Sequence, residues 1–201
     1  MRVQRWIAMT MVMAACGVAL AHESPVDHVH RILRMSAQRL DENDLVVVSY
    51  RMVLPERAAL LQLKAMDQDG DGKISEEERD AFFKHRGEEI AKQLQMSVDD
   101  KPVAVTVAGK VVLDPVFGQT FVFEARVPKL AAGVHKGKLV DLYSQRYPGP
   151  YVWRASTATP GTGATTQPAL TPMTLKVPAI GDTQASQGST IVLTFELIAP
   201  G

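Results

Sequence analysis

Three segments of this chain alternate apolar and polar residues with period two, and no other feature constrains the fold as tightly. Val46, Val48, Tyr50, Met52 and Leu54 share one face, opposite Ser49 and Arg51. Phe121, Phe123, Ala125 and Val127 oppose Glu124 and Arg126, and Ile191, Leu193, Phe195 and Leu197 oppose Thr194 and Glu196. Successive side chains of a strand point to opposite faces, so each segment is expected to bury one row and wet the other. Shorter candidates are Val103 to Val107, Val111 to Leu113, Lys138 to Tyr143, Val152 to Ala155 and Met173 to Val177. Asp99-Asp100-Lys101-Pro102, Asp114-Pro115 and Pro148-Gly149-Pro150 supply turns between them. Many short strands punctuated in this way predict a mainly antiparallel, β-sandwich-like domain.

The stretch 24–40 fits two patterns. Val26, Val29, Ile32, Leu33, Ala37 and Leu40 make a helical stripe after Ser24-Pro25, whereas Leu33 and Met35 begin a strand that pairs with 45–54 across the turn Asp41 to Asp44. The strand is the reading taken. One long stretch breaks the β pattern outright. Pro55 to Met66 reads as a helix with Leu60, Leu61, Leu63 and Met66 at helical spacing, and Ser75 to Leu94 as a second with Ala81, Phe82, Ile90 and Leu94. The expected class is therefore α+β, with a helix-loop-helix inserted at 55–95.

Between the two helices runs Asp67-Gln68-Asp69-Gly70-Asp71-Gly72-Lys73-Ile74-Ser75-Glu76-Glu77-Glu78. Ca²⁺ is a hard cation that takes oxygen ligands, and a loop must wrap those ligands around a small sphere. Asp67, Asp69 and Asp71 stand at loop positions one, three and five and offer carboxylates. Gly72 at six allows the sharp turn, and Lys73 at seven needs to give only its backbone carbonyl. Ile74 at eight is the apolar residue expected to pack behind the loop. Ser75 at nine can hold a bridging water, and Glu78 at twelve is long enough to bind through both oxygens. An acidic surface turn explains neither the fixed spacing nor the glycine at six, the glutamate at twelve and the helical flanks together.

The segment resembles an EF-hand loop, and the resemblance implies Ca²⁺ as cofactor with Asp67, Asp69, Asp71, Lys73, Ser75 and Glu78 as its ligands. Arg79 follows Glu78 where many paired EF-hands place a bulky apolar residue. No second loop is visible: Asp41-Glu42-Asn43-Asp44 runs into Leu45, and Asp99-Asp100 runs into Pro102. EF-hands usually work in pairs, so this one is expected to form a homodimer through the hand or to pack on the β domain. A lone hand suits extracellular modules, which operate at ~10⁻⁴–10⁻³ M Ca²⁺. Met52, Met66 and Met96 are too scattered to make the methionine-lined groove of a sensor.

The N-terminus sets the compartment. Arg2 and Arg5 precede an uncharged run from Trp6 to Leu20, and Ala19-Leu20-Ala21 precedes polar sequence. This three-part layout is that of a secretory signal peptide cleaved after Ala21, and the run is short of the ~20 residues that a bilayer span needs. A lipoprotein signal ending in Met13-Ala14-Ala15-Cys16 would lipidate Cys16, but Met13 is a poor leading residue for it. The expected mature chain, 22–201, is a single β-rich domain, periplasmic or secreted, without cysteine or a membrane span. The whole chain balances 22 Lys+Arg against 22 Asp+Glu, and loss of Arg2 and Arg5 leaves a net charge of −2. Neither value carries the Lys/Arg excess that nucleic-acid binding requires.

Cleavage would also make His22 the N-terminus, with His28 and His30 close behind. An α-amine with imidazoles suits Ni, Co or Cu, so a periplasmic transition-metal accessory protein is the alternative function. A polar tail with incidental histidines is the simpler reading, and His85 and His135 read as surface residues. Residues 157–170, rich in Thr, Pro and Gly, read as a flexible loop. Tyr143, Tyr147, Tyr151 and Trp153 read as closing a sandwich core beside a Pro-Gly turn. No Gly-x-Ser-x-Gly elbow, phosphate-binding loop or His-Glu-x-x-His motif is present, so the expected function is not enzymatic.

Across about two-thirds of its length the chain resembles the soluble N-terminal domain of nickel/cobalt exporters of the NicO and HupE/UreJ kind. The matching features are Ala21-His22, the strand at 45–54 with the acidic loop straight after it, Tyr147-Pro148-Gly149 and Trp153-Arg154. The transmembrane helices of those exporters have no counterpart, so transport is not implied. The resemblance implies a free-standing periplasmic module, metal-binding or regulatory, with a membrane transporter as a candidate partner.

Overall fold

The alternating segments form strands, and their registers follow from which row each one buries. The computed structural model describes residues 28–114, 118–146, 149–155, 171–177, 183–185 and 190–200. The ambiguous segment is a strand, β1 (His30–Arg39), joined to β2 (Asn43–Val53) by a tight turn and paired from His30↔Val53 to Arg39↔Asp44. β7 (Gly118–Pro128) flanks β2 along its whole length, from Asn43↔Pro128 to Val53↔Gly118. That register sets Tyr50, Val48 and Val46 beside Phe121, Phe123 and Ala125, so the two predicted apolar rows merge into one buried face.

The other edge of β1 is shared. Its first half pairs in parallel with β9 (Gly149–Ala155), and its last residues pair antiparallel with β10 (Thr171–Lys176). From β10 the sheet continues through β12 (Ile191–Ala199), β8 (Gly133–Asp141) and β3 (Leu94–Val98) to β4 (Lys101–Val103). At the far side β5 (Val105–Val107) and β6 (Val112–Leu113) add to β7, and β11 (Thr183–Ala185) adds to β9. The two ends of the main path, β4 and β5, are separated in sequence by Ala104 alone, so the chain itself bridges the gap in a nearly closed sheet. The expected single strand Val103 to Val107 is thus divided between the two ends.

One apolar core lies inside. Leu33, Tyr50, Phe123 and Trp153 enter it from one side, and Leu139, Leu193, Phe195 and Leu197 from the other. Trp153 on β9 meets Phe195 on β12 edge-on at 6.2 Å, a favoured geometry between aromatic rings. The expected core role of Tyr143, Tyr151 and Trp153 holds, since all three are buried; Tyr147 lies outside the described residues, as does 157–170. Tyr143 is not part of a strand, because β8 stops at Asp141 and Tyr143–Gln145 form a single 3₁₀ turn.

The two helices, α1 (Glu56–Met66) and α2 (Glu76–Gln93), both form where expected; of the predicted stripes Met66 and Ile90 turn inward, whereas the other buried positions differ. On α1 the buried residues are Ala59, Gln62 and Met66, while Leu60, Leu61 and Leu63 are exposed. On α2 the buried residues are Phe83, Gly87, Ile90 and Ala91, and Ala81 faces solvent. The reason is packing on the sheet. Phe83 lies 6.3 Å from Phe121, and Gly87 lets α2 approach Val107 closely, which fixes the rotation of the helix.

His135 is not a simple surface residue. Its Nδ1 lies 2.6 Å from Asp99 Oδ2 and its Nε2 2.8 Å from Ala131 O, so both ring nitrogens face acceptors. Asp99 and Asp100 form the two-residue turn between β3 and β4, both at positive φ (48° and 61°), and Asp99 Oδ1 accepts the Lys136 N–H. The Asp99 carboxylate, then the Ala131 carbonyl, raise the pKa of His135 above its ordinary 6.5, while the imidazolium lowers that of Asp99. A raised histidine contributes stability below its unfolded pKa and loses it as pH rises through the folded value. We therefore expect His135→Gln to lower the melting temperature near pH 6 by an amount worth at most about 1 kcal/mol. The difference should fade as pH rises through the raised His135 pKa; melting curves of both proteins from pH 6 upward are the measurement.

Candidate metal centre

The acidic loop begins where α1 ends and closes where α2 starts. Asp67 caps α1, its N–H bonding to Leu63 O. Gly70 and Gly72 take φ of 75° and 81°, the left-handed region that glycine enters without steric cost, and these two turns fold the loop back on itself. Ser75 caps α2 in a reciprocal box. Its hydroxyl oxygen accepts from the Glu78 N–H at 3.2 Å, and Glu78 Oε2 accepts from the Ser75 N–H at 2.9 Å.

Folding in this way brings three of the expected ligands together. One oxygen from each of Asp67, Asp69 and Asp71 lies within 4.8 Å of the others, and this is the one group of three or more metal-ligating side chains found among the described residues. Each carboxylate commits one oxygen to the loop backbone: Asp67 Oδ2 to the Gly72 N–H, Asp69 Oδ1 to the Asp71 N–H and Asp71 Oδ1 to the Lys73 N–H. Asp67 Oδ1 is buried and has no hydrogen-bond donor among the described residues. Buried polar atoms are nearly always satisfied, and an orphaned oxygen on one of three clustered carboxylates is what a cation would pair. The donor set is all oxygen, which suits a hard cation such as Ca²⁺ and offers nothing to a soft one.

Glu78 sits at the neck of the loop. Its Oε1 accepts the Gln68 and Asp69 N–H groups at 2.7 and 3.3 Å, and its Oε2 accepts from the Ser75 hydroxyl as well. The Ser75 N–H and hydroxyl, followed by the Gln68 N–H, hold its carboxyl down from the ordinary 4.5 to about 2. It is therefore an anion that ties the start of the loop to α2, and it is not one of the three clustered side chains. Lys73 is exposed, and Ser75 serves the helix cap. Arg79 turns to Glu76 and Asp80 at 3.2 Å each. His28 and His30 are exposed and join no such group; His22 lies outside the described residues.

A second polar cluster was not anticipated from the sequence. Arg31, 1% exposed on β1, donates from Nε to the Tyr50 hydroxyl at 2.9 Å. Tyr50 in turn donates to Asp141 Oδ2 at 2.8 Å, and the Ser144 N–H bonds Asp141 Oδ1 at 3.1 Å. Burial pushes both the Tyr50 hydroxyl and the Asp141 carboxyl up, and Tyr50 and Arg31 pull Asp141 partly back. The signal for it lay in the alternation. Arg31 shares parity with Leu33 and Met35, and Asp141 with Leu139, so each is a charge at an inward strand position.

None of the helices in the described residues is long and apolar enough to cross a membrane. The chain matches no protein-family model and no curated protein sequence.

Proposed function

We propose that this chain is an exported, non-enzymatic calcium-binding protein, in which an EF-hand loop between α1 and α2 holds one Ca²⁺ against a β-rich domain. The observation that carries the reading is the clustering of one carboxylate oxygen from each of Asp67, Asp69 and Asp71 within 4.8 Å, together with a buried Asp67 Oδ1 that has no hydrogen-bond donor among the described residues. The Lys73 carbonyl, Ser75 through a water, and Glu78 complete the ligand set the sequence spacing predicts. A bound divalent cation supplies the positive charge that cancels the repulsion among these carboxylates. Relief of that repulsion fixes the helices at the two ends of the loop, so the ion acts as a clip in a mature chain that lacks disulfides. The signal-like N-terminus supports export, to a compartment where millimolar calcium can load a weak site.

The test is thermal unfolding with calcium and with chelator. Calcium at a hundred times its dissociation constant adds ~2.7 kcal/mol. For a chain of this size that corresponds to a rise of about 5–10 °C. Asp67→Ala should melt at the same temperature with and without calcium. A wild-type curve indifferent to millimolar Ca²⁺, or an Asp67→Ala protein that still responds, removes the proposal.

A further inference from the structure

The outward face of β8, β12 and β10 carries a groove of about 580 Å³, within the size range of small-ligand sites. Its lining comes wholly from described residues. Register decides which side chains stand together there. Lys136 on β8 lies directly across from Glu196 on β12, and Glu196 directly across from Lys176 on β10, so one row reads plus, minus, plus. The next row sets Lys138 between Ser97 on β3 and Thr194 on β12. All but the half-buried Ser97 are exposed, while Gly137, Leu139, Phe195 and Leu197 on the same strands are buried, so the two rows share the wet face.

Opposite charges directly across two strands are placed to stabilise each other. Here Lys136, Lys138, Lys176 and Glu196 take part in none of the ion pairs among the described residues, so four charged groups stand open in one concave site. Asp100, the other acid of the groove, lies at the β3–β4 turn, and three lysines against two acids leave a charge of +1. Two strand spacings put the backbones of Lys136 and Lys176 about 10 Å apart, and two residues along β8 put Lys136 and Lys138 about 7 Å apart. One compact anion cannot meet ammoniums so spread. The row matches instead a molecule with an anionic group at each end, since lysine takes phosphate as a point charge. Between those ends the ionised Glu196 can only accept, so the middle of the molecule must donate. Hydroxyl groups do so without adding a charge.

We propose that this groove binds a sugar or polyol bearing two anionic groups, with Lys136 and Lys176 taking one end each and Glu196 accepting from a hydroxyl between them. The inference is independent of the ion in the acidic loop, and it is tested on the full chain without added metal. The probe is fructose 1,6-bisphosphate, titrated calorimetrically at low salt. It is compared with hexane-1,6-diyl bisphosphate, which has two phosphates and no hydroxyl, and with inorganic phosphate. Saturable one-to-one binding of the sugar bisphosphate is expected, about tenfold tighter than the alkane bisphosphate and about a hundredfold tighter than inorganic phosphate. Lys136→Gln and Lys176→Gln, both at exposed positions, should each weaken the two bisphosphates about tenfold. Lys64→Gln, on α1, should leave them unchanged. Glu196→Met should erase the preference for the sugar, whereas a site acting by charge alone would bind both bisphosphates more tightly and keep their ratio. Absence of saturable binding overturns the proposal. So does binding that Lys136→Gln and Lys176→Gln leave unchanged, or a preference for the sugar that survives Glu196→Met.

Discussion

Asp141→Leu is expected to be among the most destabilising single changes in the chain. It removes the carboxylate that receives the Tyr50 hydroxyl, and Tyr50 in turn receives Arg31 Nε, all within the core. A guanidinium 1% exposed cannot regain water without opening the β1–β9 seam. Removing one member of a buried charge pair typically costs about 3–5 kcal/mol, because the remaining charge stays desolvated and uncompensated. For a chain of this length the melting temperature should fall by roughly 10 °C. Replacing both ends, as Arg31→Met with Asp141→Leu, should restore part of the loss, since no buried charge is then left behind, while the Tyr50 hydroxyl and the Ser144 N–H still lose their acceptor. Thermal melts of the two single variants and the double variant decide the matter. A single variant losing less than about 1 kcal/mol, or a double variant losing the sum of the singles, would show that the network does not act as a unit.

Phe195→Ala should cost about 3–5 kcal/mol by the usual penalty for emptying an aromatic site in a packed core. Its ring is 3% exposed, meets Trp153 edge-on, and lies over Gly137, its direct cross-strand neighbour on β8. A Cβ added at Gly137 would overlap that ring, so this glycine is required by space. Gly137→Ala alone is expected to lose about 1–3 kcal/mol through the displaced phenylalanine. In the Phe195→Ala background the same methyl group should be neutral or stabilising, because the obstacle is gone. A cycle in which the two changes simply add would mean that Phe195 does not rest on Gly137.

The alternation of apolar residues was sufficient to place most of the strands, because each has one wet face and one dry face. It located β2, β7 and β12 almost to their ends, and it favoured the strand at 30–39 over the helix. β3 escaped it. Leu94-Gln95-Met96-Ser97-Val98 alternates cleanly but follows α2 with no glycine or proline to mark the change of period. The helical faces escaped it too, for a different reason. Hydrophobicity alone favoured Leu60, Leu61, Leu63 and Met66 on α1; Met66 is buried as expected, but its buried companions are Ala59 and Gln62 rather than the three leucines.

The clustering of Asp67, Asp69 and Asp71, three of the six expected ligands, was legible because its geometry is local: two glycines at positive φ and carboxylates at alternate positions bring these side chains together. The role of Glu78 as a tie to the Gln68 and Asp69 N–H groups was not legible, nor was the pairing of Tyr50 with Asp141, which depends on two distant strands crossing.

The position of β1 also governs the order in which the chain can reach this state. Its neighbour on one side, β2, is available at once, but Arg31 must wait for Tyr151 and Ala37 for Met173 before its other side is covered. Contacts so far apart in sequence make closure slow compared with a hairpin. Until the last strands arrive, β1 presents an open edge and Arg31 stands beside a strand that does not yet exist. A nascent chain is therefore a poor folder that becomes competent only when the C-terminal strands have been made.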